Sequence, residues 1–165
     1  MKFTFHRLAG MIAILAVVVL SHPRLHAQFG GPPSPDSAFS IPIAQLIQPE
    51  ELSRILQAKS PERPLILQVG SRMLFAQAHI TGSEYAGAGA QPEGLSQLKA
   101  RVSALPRKTF IVLYCGCCPW NRCPNIGAAF NLLHQMGFTN VKALYLADNL
   151  GTDWVDKGYP VERGQ

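Results

Sequence analysis

From about residue 41 onward, apolar and polar positions fall into blocks of two different periods. Leu65–Val69 (LILQV) is a short, nearly continuous apolar run closed by Gly70 and Ser71. Thr109–Tyr114 (TFIVLY) is stronger still: β-branched and aromatic, with Thr109 its one polar member. Such runs have no polar face, which predicts strands buried on both sides, as in a parallel sheet. Val141–Leu146 predicts another. Between the strands the period lengthens. Leu95, Leu98, Val102 and Leu105 recur at helical spacing over Pro92–Leu105, and Pro106 is the stop. Pro124 and Asn125 open a second helix, with Ala128, Ala129, Leu132, Leu133 and Met136 on one stripe and Gly137 as a left-handed cap. Pro49, Glu50 and Glu51 open an earlier one, because Pro fits the first helical position and acids complement the dipole there. Leu46, Leu52, Ile55 and Leu56 are its expected apolar face. Met73–Ala78 predicts a short helix, and 82–90 a Gly/Ala-rich loop. A last helix, Trp154–Lys157, is expected to be capped by Thr152 or Asp153 and ended by Gly158. Helices alternating with buried strands predict an α/β domain with a mostly parallel central sheet flanked by helices.

The pattern is different at the N-terminus. A short basic start (Lys2, His6, Arg7) precedes a 13-residue uncharged run, Leu8–Leu20. A membrane span needs about 20 apolar residues, so this run reads as the core of an export signal. Ala27 is small enough to precede a cleavage site. Residues 1–27 are therefore expected to be a signal peptide, with a membrane association only if that segment stays uncleaved. Residues 28–40 are rich in Gly, Pro and Ser and read as a flexible linker. The folded domain is expected over 41–165, in a periplasmic or extracellular compartment that permits disulfides.

Composition sharpens this in one respect. The chain has 165 residues, 47% hydrophobic and 15% charged, enough to build a core. Its formal charge is +5, but removing Lys2, Arg7 and Arg24 with the signal leaves about +2. No basic patch or run remains, so nucleic acid is not an expected partner. The sequence also lacks a phosphate-binding glycine loop and a serine nucleophile elbow.

The candidate chemistry lies in YCGCCPWNRCPN. All four cysteines, Cys115, Cys117, Cys118 and Cys123, fall within nine residues between the strongest strand and the following helix. Ligands bind at the carboxyl ends of strands in open α/β sheets. Unpaired N–H groups at a helix start, together with Arg122, favour a thiolate there. A thiolate in that position is a nucleophile at neutral pH. Gly116, Cys118, Trp120, Asn121 and Cys123 complete the candidate binding loop. Structural disulfides are the plain alternative, although so close a cluster closes only tiny loops. Soft thiolates also suit Zn(II) or Cu(I), with Cys115, Cys117, Cys118 and Cys123 as ligands. The Cys-x-x-Cys of Cys115–Cys118 leaves thiol–disulfide exchange open as well.

The order of these pieces resembles the rhodanese-like family over about residues 44–163. Gln48-Pro49-Glu50-Glu51-Leu52 is similar to that family's first helix. Ala78-His79-Ile80-Thr81-Gly82-Ser83 is similar to its Gly-His-Ile-Pro-Gly-Ala segment. Ile111–Cys115 is similar to the strand that delivers its active-site Cys. Gly137-Phe138, Asn140-Val141 and Trp154-x-x-x-Gly158-Tyr159-Pro160-Val161 follow its closing pattern. Gln68 stands where the family's strand-end Asp is expected. The resemblance implies a three-layer domain and a sulfurtransferase, without a cofactor. A Cys would take a sulfane sulfur from a small donor such as thiosulfate and pass it to a thiol or protein acceptor. Position directly after the strand points to Cys115 as nucleophile, while Cys-x4-Arg spacing points to Cys117. Arg122 is the implied anion-binding partner. Several members of the family are non-catalytic modules, so a metal- or thiol-binding role remains the alternative.

Overall fold

The computed structural model describes residues 41–58 and 62–164. The expected signal (1–27) and linker (28–40) lie outside the described residues. The chain runs β1 (Leu46–Ile47), α1 (Pro49–Gln57), β2 (Leu65–Gln68), α2 (Arg72–Gln77), β3 (His79–Ile80), β4 (Glu84–Tyr85), α3 (Pro92–Val102), β5 (Ile111–Tyr114), α4 (Ile126–Gln135), β6 (Val141–Leu144) and β7 (Val161–Glu162). Five strands form one sheet in the order β1-β6-β5-β2-β4, and every pairing in it is parallel. The expected fold class therefore holds. No helix among the described residues is long and apolar enough to cross a membrane.

Side chains alternate across the central strand and so define the layers. Ile111 and Leu113 of β5 pack with Leu98 and Val102 of α3 and Ile126, Ala129, Phe130 and Leu133 of α4. Val112 and Tyr114 face the other way, against Leu52 and Leu56 of α1 and the indole of Trp154. All four β5 side chains are fully buried. Full burial of one such aliphatic residue is worth about 1.5–3 kcal/mol, so β5 anchors the sheet from which the site hangs. The Tyr114 hydroxyl is not left bare. It accepts the Ile80 N–H (3.3 Å) and pairs with Ser83 Oγ (2.9 Å). Burial still pushes its phenol up to about 12.

Four local expectations need correction. Leu46 does not join the face of α1; it lies in β1, paired with Ala143 of β6. Segment 82–90 is not all loop, since Glu84–Tyr85 adds a fifth strand beside β2. Helix α3 ends at Val102, three residues short of Leu105. Near the C-terminus, Gly151–Val155 is a single π-helical turn rather than a helix over Trp154–Lys157. The caps there also exchange roles. Asn149 Oδ1 accepts the Thr152 N–H (3.0 Å), while Asp153 Oδ2 accepts those of Asp148 (2.7 Å) and Asn149 (3.0 Å). The short antiparallel pair β3–β7 gives no period in the sequence, because two residues per strand are too few to show one.

Candidate active site

The loop after β5 begins where apolar alternation runs onto sulfur. Cys115 continues the face of Ile111 and Leu113 and is 6% exposed. Gly116 then adopts φ +78°, a left-handed value that only glycine takes freely. That bend sets Cys117 Sγ 3.0 Å from Cys115 Sγ, and Cys118 Sγ lies 3.3 Å beyond. Pro119 and a 3-10 turn, Trp120–Arg122, lead to buried Cys123, whose N–H donates to the Trp120 carbonyl (3.3 Å). Two backbone bonds pin the loop to the segment after β6. Leu150 N–H donates to the Gly116 carbonyl, and Trp120 N–H to the Ala147 carbonyl, both at 3.1 Å.

Two amides brace the loop, one at the Cys115 backbone and one at its sulfur. Gln68, at the end of β2, donates through Nε2 to the Cys115 carbonyl (3.0 Å) and accepts the Gly70 N–H through Oε1 (3.2 Å). Gly70 has to be small: a Cβ there would lie 2.7 Å from the Cys115 carbonyl oxygen and 3.0 Å from its Sγ. Asn125 occupies the N-cap of α4, yet its side chain does not cap the helix. Its Nδ2 instead donates to Cys115 Sγ (3.3 Å), with Cys117 Sγ at 3.9 Å, and its Oδ1 accepts the Ala90 N–H (2.9 Å).

The four free thiols fall into two states. Cys117 is drawn down to about 6, chiefly because the Cys115 S–H donates to it; the Cys118 thiol, its own N–H and the Asn125 amide add to that, against partial burial. Cys115 moves far the other way, because its one proton has the Cys117 and Cys123 sulfurs as alternative acceptors and because it is buried. Burial, and then donation to Cys117, pushes Cys118 up to about 12. Cys123 is lowered, first by the Cys115 thiol and then by the N–H groups of Asn125 and Ile126 at the start of α4. Cys117 and Cys123 are thus the thiols drawn downward, and Cys115 and Cys118 the thiols pushed upward. Cys117 is the half-buried thiolate, and it borders open space.

That space is a cavity of about 550 Å³ at the carboxyl ends of β2, β5 and β6. Its lining includes Gln68 and Leu74, the loop Cys115–Pro119, and Asn149, Leu150 and Val155. Its volume suits a small molecule. Among the described residues none of its lining is Lys or Arg, and exposed Asp148 is its one carboxylate. The Sγ atoms of Cys115, Cys117 and Cys118 lie within 4.8 Å of one another, a set that could hold a soft metal ion; Cys123 is not part of it.

No protein-family model matches the chain, and no curated protein matches it. Solved structures do. The Alr3790 protein of Anabaena sp. is 26% identical, covers 72% of this chain and 92% of its own, and superposes with a TM-score of 0.54. The solution structure of the rhodanese-like domain of the same protein is 24% identical over 72% and 79% of the two chains, with a TM-score of 0.53. The BH2092 protein of Bacillus halodurans is 19% identical over 72% and 76%, with a TM-score of 0.56. The domain has the rhodanese-like fold.

Within that fold the expected site residues separate. Cys115, Gly116, Cys117 and Cys118 come together on the cavity. Cys123 and Trp120 line a smaller recess behind Cys115, where the Trp120 ring stands 5.3 Å from that of Tyr145. Arg122 and Asn121 are exposed and do not line the cavity, because the 3-10 turn carries them past it. The expected anion-binding role of Arg122 thus finds no support in its position. Asn125 and Leu150 were not foreseen. The signal for Asn125 was present, since a helix-opening Asn two residues after a Cys is either a cap or a ligand. Nothing in the local sequence marks Leu150, which reaches the site through the return of the chain from β6.

Proposed function

We propose that this rhodanese-like domain is a sulfurtransferase that carries a sulfane sulfur as a persulfide on Cys117. The carrying observation is that Cys117 borders the cavity only half-buried, where Cys115 is buried, and has the Cys115 and Cys118 thiols and the Asn125 amide within hydrogen-bond reach of its sulfur. Its thiolate attacks the outer sulfur of a donor such as thiosulfate. The donor S–S bond breaks, sulfite leaves with the bonding pair, and Cys117–S–S⁻ remains. The donors that held the thiolate can hold the persulfide anion equally, since it is also a soft acceptor. A thiolate acceptor then attacks the outer sulfur and Cys117 is released as thiolate. Because no cation among the described residues lines the cavity, uncharged polar groups of its lining such as Gln77, Asn149 and Thr152, not Arg122, are to receive the anionic part of the donor.

The 1–27 export pattern supports this chemistry outside the cytoplasm; a mature N-terminus at Gln28 is the expected result of sequencing the secreted chain. The functional test is sulfite release. Reduced, metal-stripped protein mixed with thiosulfate should release one sulfite per chain, and Cys117→Ser should release none. Sulfite release by Cys117→Ser, or none from the wild type, would overturn the proposal.

A further inference from the structure

A sulfur carried on Cys117 would not sit alone. The Cys115 Sγ lies 3.0 Å from the Cys117 Sγ and the Cys118 Sγ lies 3.3 Å from it. A neighbouring thiol at contact distance competes with any dissolved acceptor, because its effective concentration far exceeds that of a free thiol. The two neighbours are not equivalent. A bond between adjacent Cys117 and Cys118 closes a ring that strains the intervening peptide. Cys115 and Cys117 are separated by Gly116, whose left-handed bend already brings their sulfurs together. Closing the gap to a bond of about 2.0 Å takes about 1 Å of movement. Cys115 is also buried, so soluble oxidants and alkylating reagents reach it poorly until Cys117 presents a partner.

We propose that Cys115 is a resolving cysteine: it attacks the inner sulfur of the Cys117 persulfide, expels the outer sulfur as hydrosulfide, and leaves a Cys115–Cys117 disulfide. This rests on the sulfur-carrying role of Cys117 proposed above. The step balances as Cys117–S–S⁻ plus HS–Cys115 giving Cys117–S–S–Cys115 plus HS⁻. The Cys115–Cys117 sulfur–sulfur bond forms and the persulfide bond breaks. The two cysteine sulfurs are oxidised, and the sulfane sulfur is reduced to sulfide. The Cys115 proton passes to the outer sulfur of the persulfide, so that Cys115 attacks as its thiolate and the sulfur leaves as HS⁻. An external dithiol must then reduce the disulfide, becoming a disulfide itself. The domain is thereby a reductive sulfide-releasing enzyme, and its turnover depends on a dithiol partner.

The test mixes reduced, metal-stripped full-length protein with thiosulfate, with no other thiol present. Sulfite, sulfide and protein mass are followed together. The wild type should release one sulfite and then one sulfide per chain, stop, and end two hydrogens lighter. Cys115→Ser, which keeps a hydroxyl donor beside Cys117, should release sulfite but no sulfide and end heavier by one sulfur. Arg122 separates Cys123 from the other three cysteines in tryptic peptides, so a link to Cys123 would join two peptides. Fragmentation around Gly116 distinguishes a Cys115–Cys117 link from a Cys117–Cys118 link. Sulfite with a stable persulfide and no sulfide in the wild type would overturn the resolving role while leaving the sulfur carrier intact. A link to Cys118 or Cys123 would overturn the assignment to Cys115. Absence of sulfite from both proteins would remove the carrier and the resolving step alike.

Discussion

Ile111–Tyr114 and Cys115–Asn125 are consecutive in the chain, yet different forces determine them. The strand is set by burial: four side chains fully out of water, alternating between two helical layers. The loop is set by polar detail: one left-handed glycine, two amides and two backbone bonds to the segment after β6. Cys115 belongs to both, and Cys117 only to the loop. Two residues of separation turn a buried thiol pushed upward into a half-exposed thiolate drawn downward. A cysteine's place after a strand therefore does not by itself make it the nucleophile; its hydrogen-bond donors and its access to the cavity do.

Substitutions can break the comparison from either side. The largest effect on chemistry is expected from Cys117→Ser, with sulfite release falling at least about a thousandfold, as for loss of any covalent nucleophile. Its urea midpoint should stay near that of the wild type. Leu113→Ala is the converse. It deletes a fully buried β5 side chain and should cost about 2–5 kcal/mol in a urea melt. Cys115→Ala removes the largest of the influences that lower Cys117. The midpoint for Cys117 alkylation should then climb from about 6 toward the ordinary thiol range of about 8.5, with Cys115→Ser in between because a hydroxyl still donates. Tyr114→Phe leaves Ser83 Oγ and the Ile80 N–H without their buried partner and should cost about 1–3 kcal/mol by urea melt, with little change in sulfite release. The smallest effect is expected at Arg122→Ala. An exposed charge outside the cavity should change the KM for thiosulfate by less than about twofold. A larger change would return Arg122 to the site.

The same contrast explains what could be read from sequence. β2, β5, β6, α1, α3 and α4 each carry enough residues for a period to show, and all were legible within a few positions. The two-residue strands β1, β3, β4 and β7 were not, because their existence depends on pairing with distant segments such as Leu46 with Ala143 or His79 with Glu162. At the site, clustering identified the cysteines and the strand end identified their location. Which thiol ionises was not legible. It depends on Sγ–Sγ distances set by Gly116, and on an amide from Asn125 ten residues after Cys115. Charge in the sequence pointed to Arg122, but the 3-10 turn leaves it outside.

The most direct test of Cys117 over Cys115 is the pH dependence of alkylation by iodoacetamide in the reduced, metal-stripped protein, followed residue by residue with peptide mass spectrometry. A thiolate reacts and a thiol does not, so a lowered group stays reactive as pH falls until its own midpoint is crossed. Cys117 is expected to be modified ahead of Cys115, at a rate that is flat above pH 7 and falls through a midpoint of about 6. Modification of Cys115 first, or a Cys117 midpoint at the ordinary thiol value of about 8.5 or higher, would contradict it.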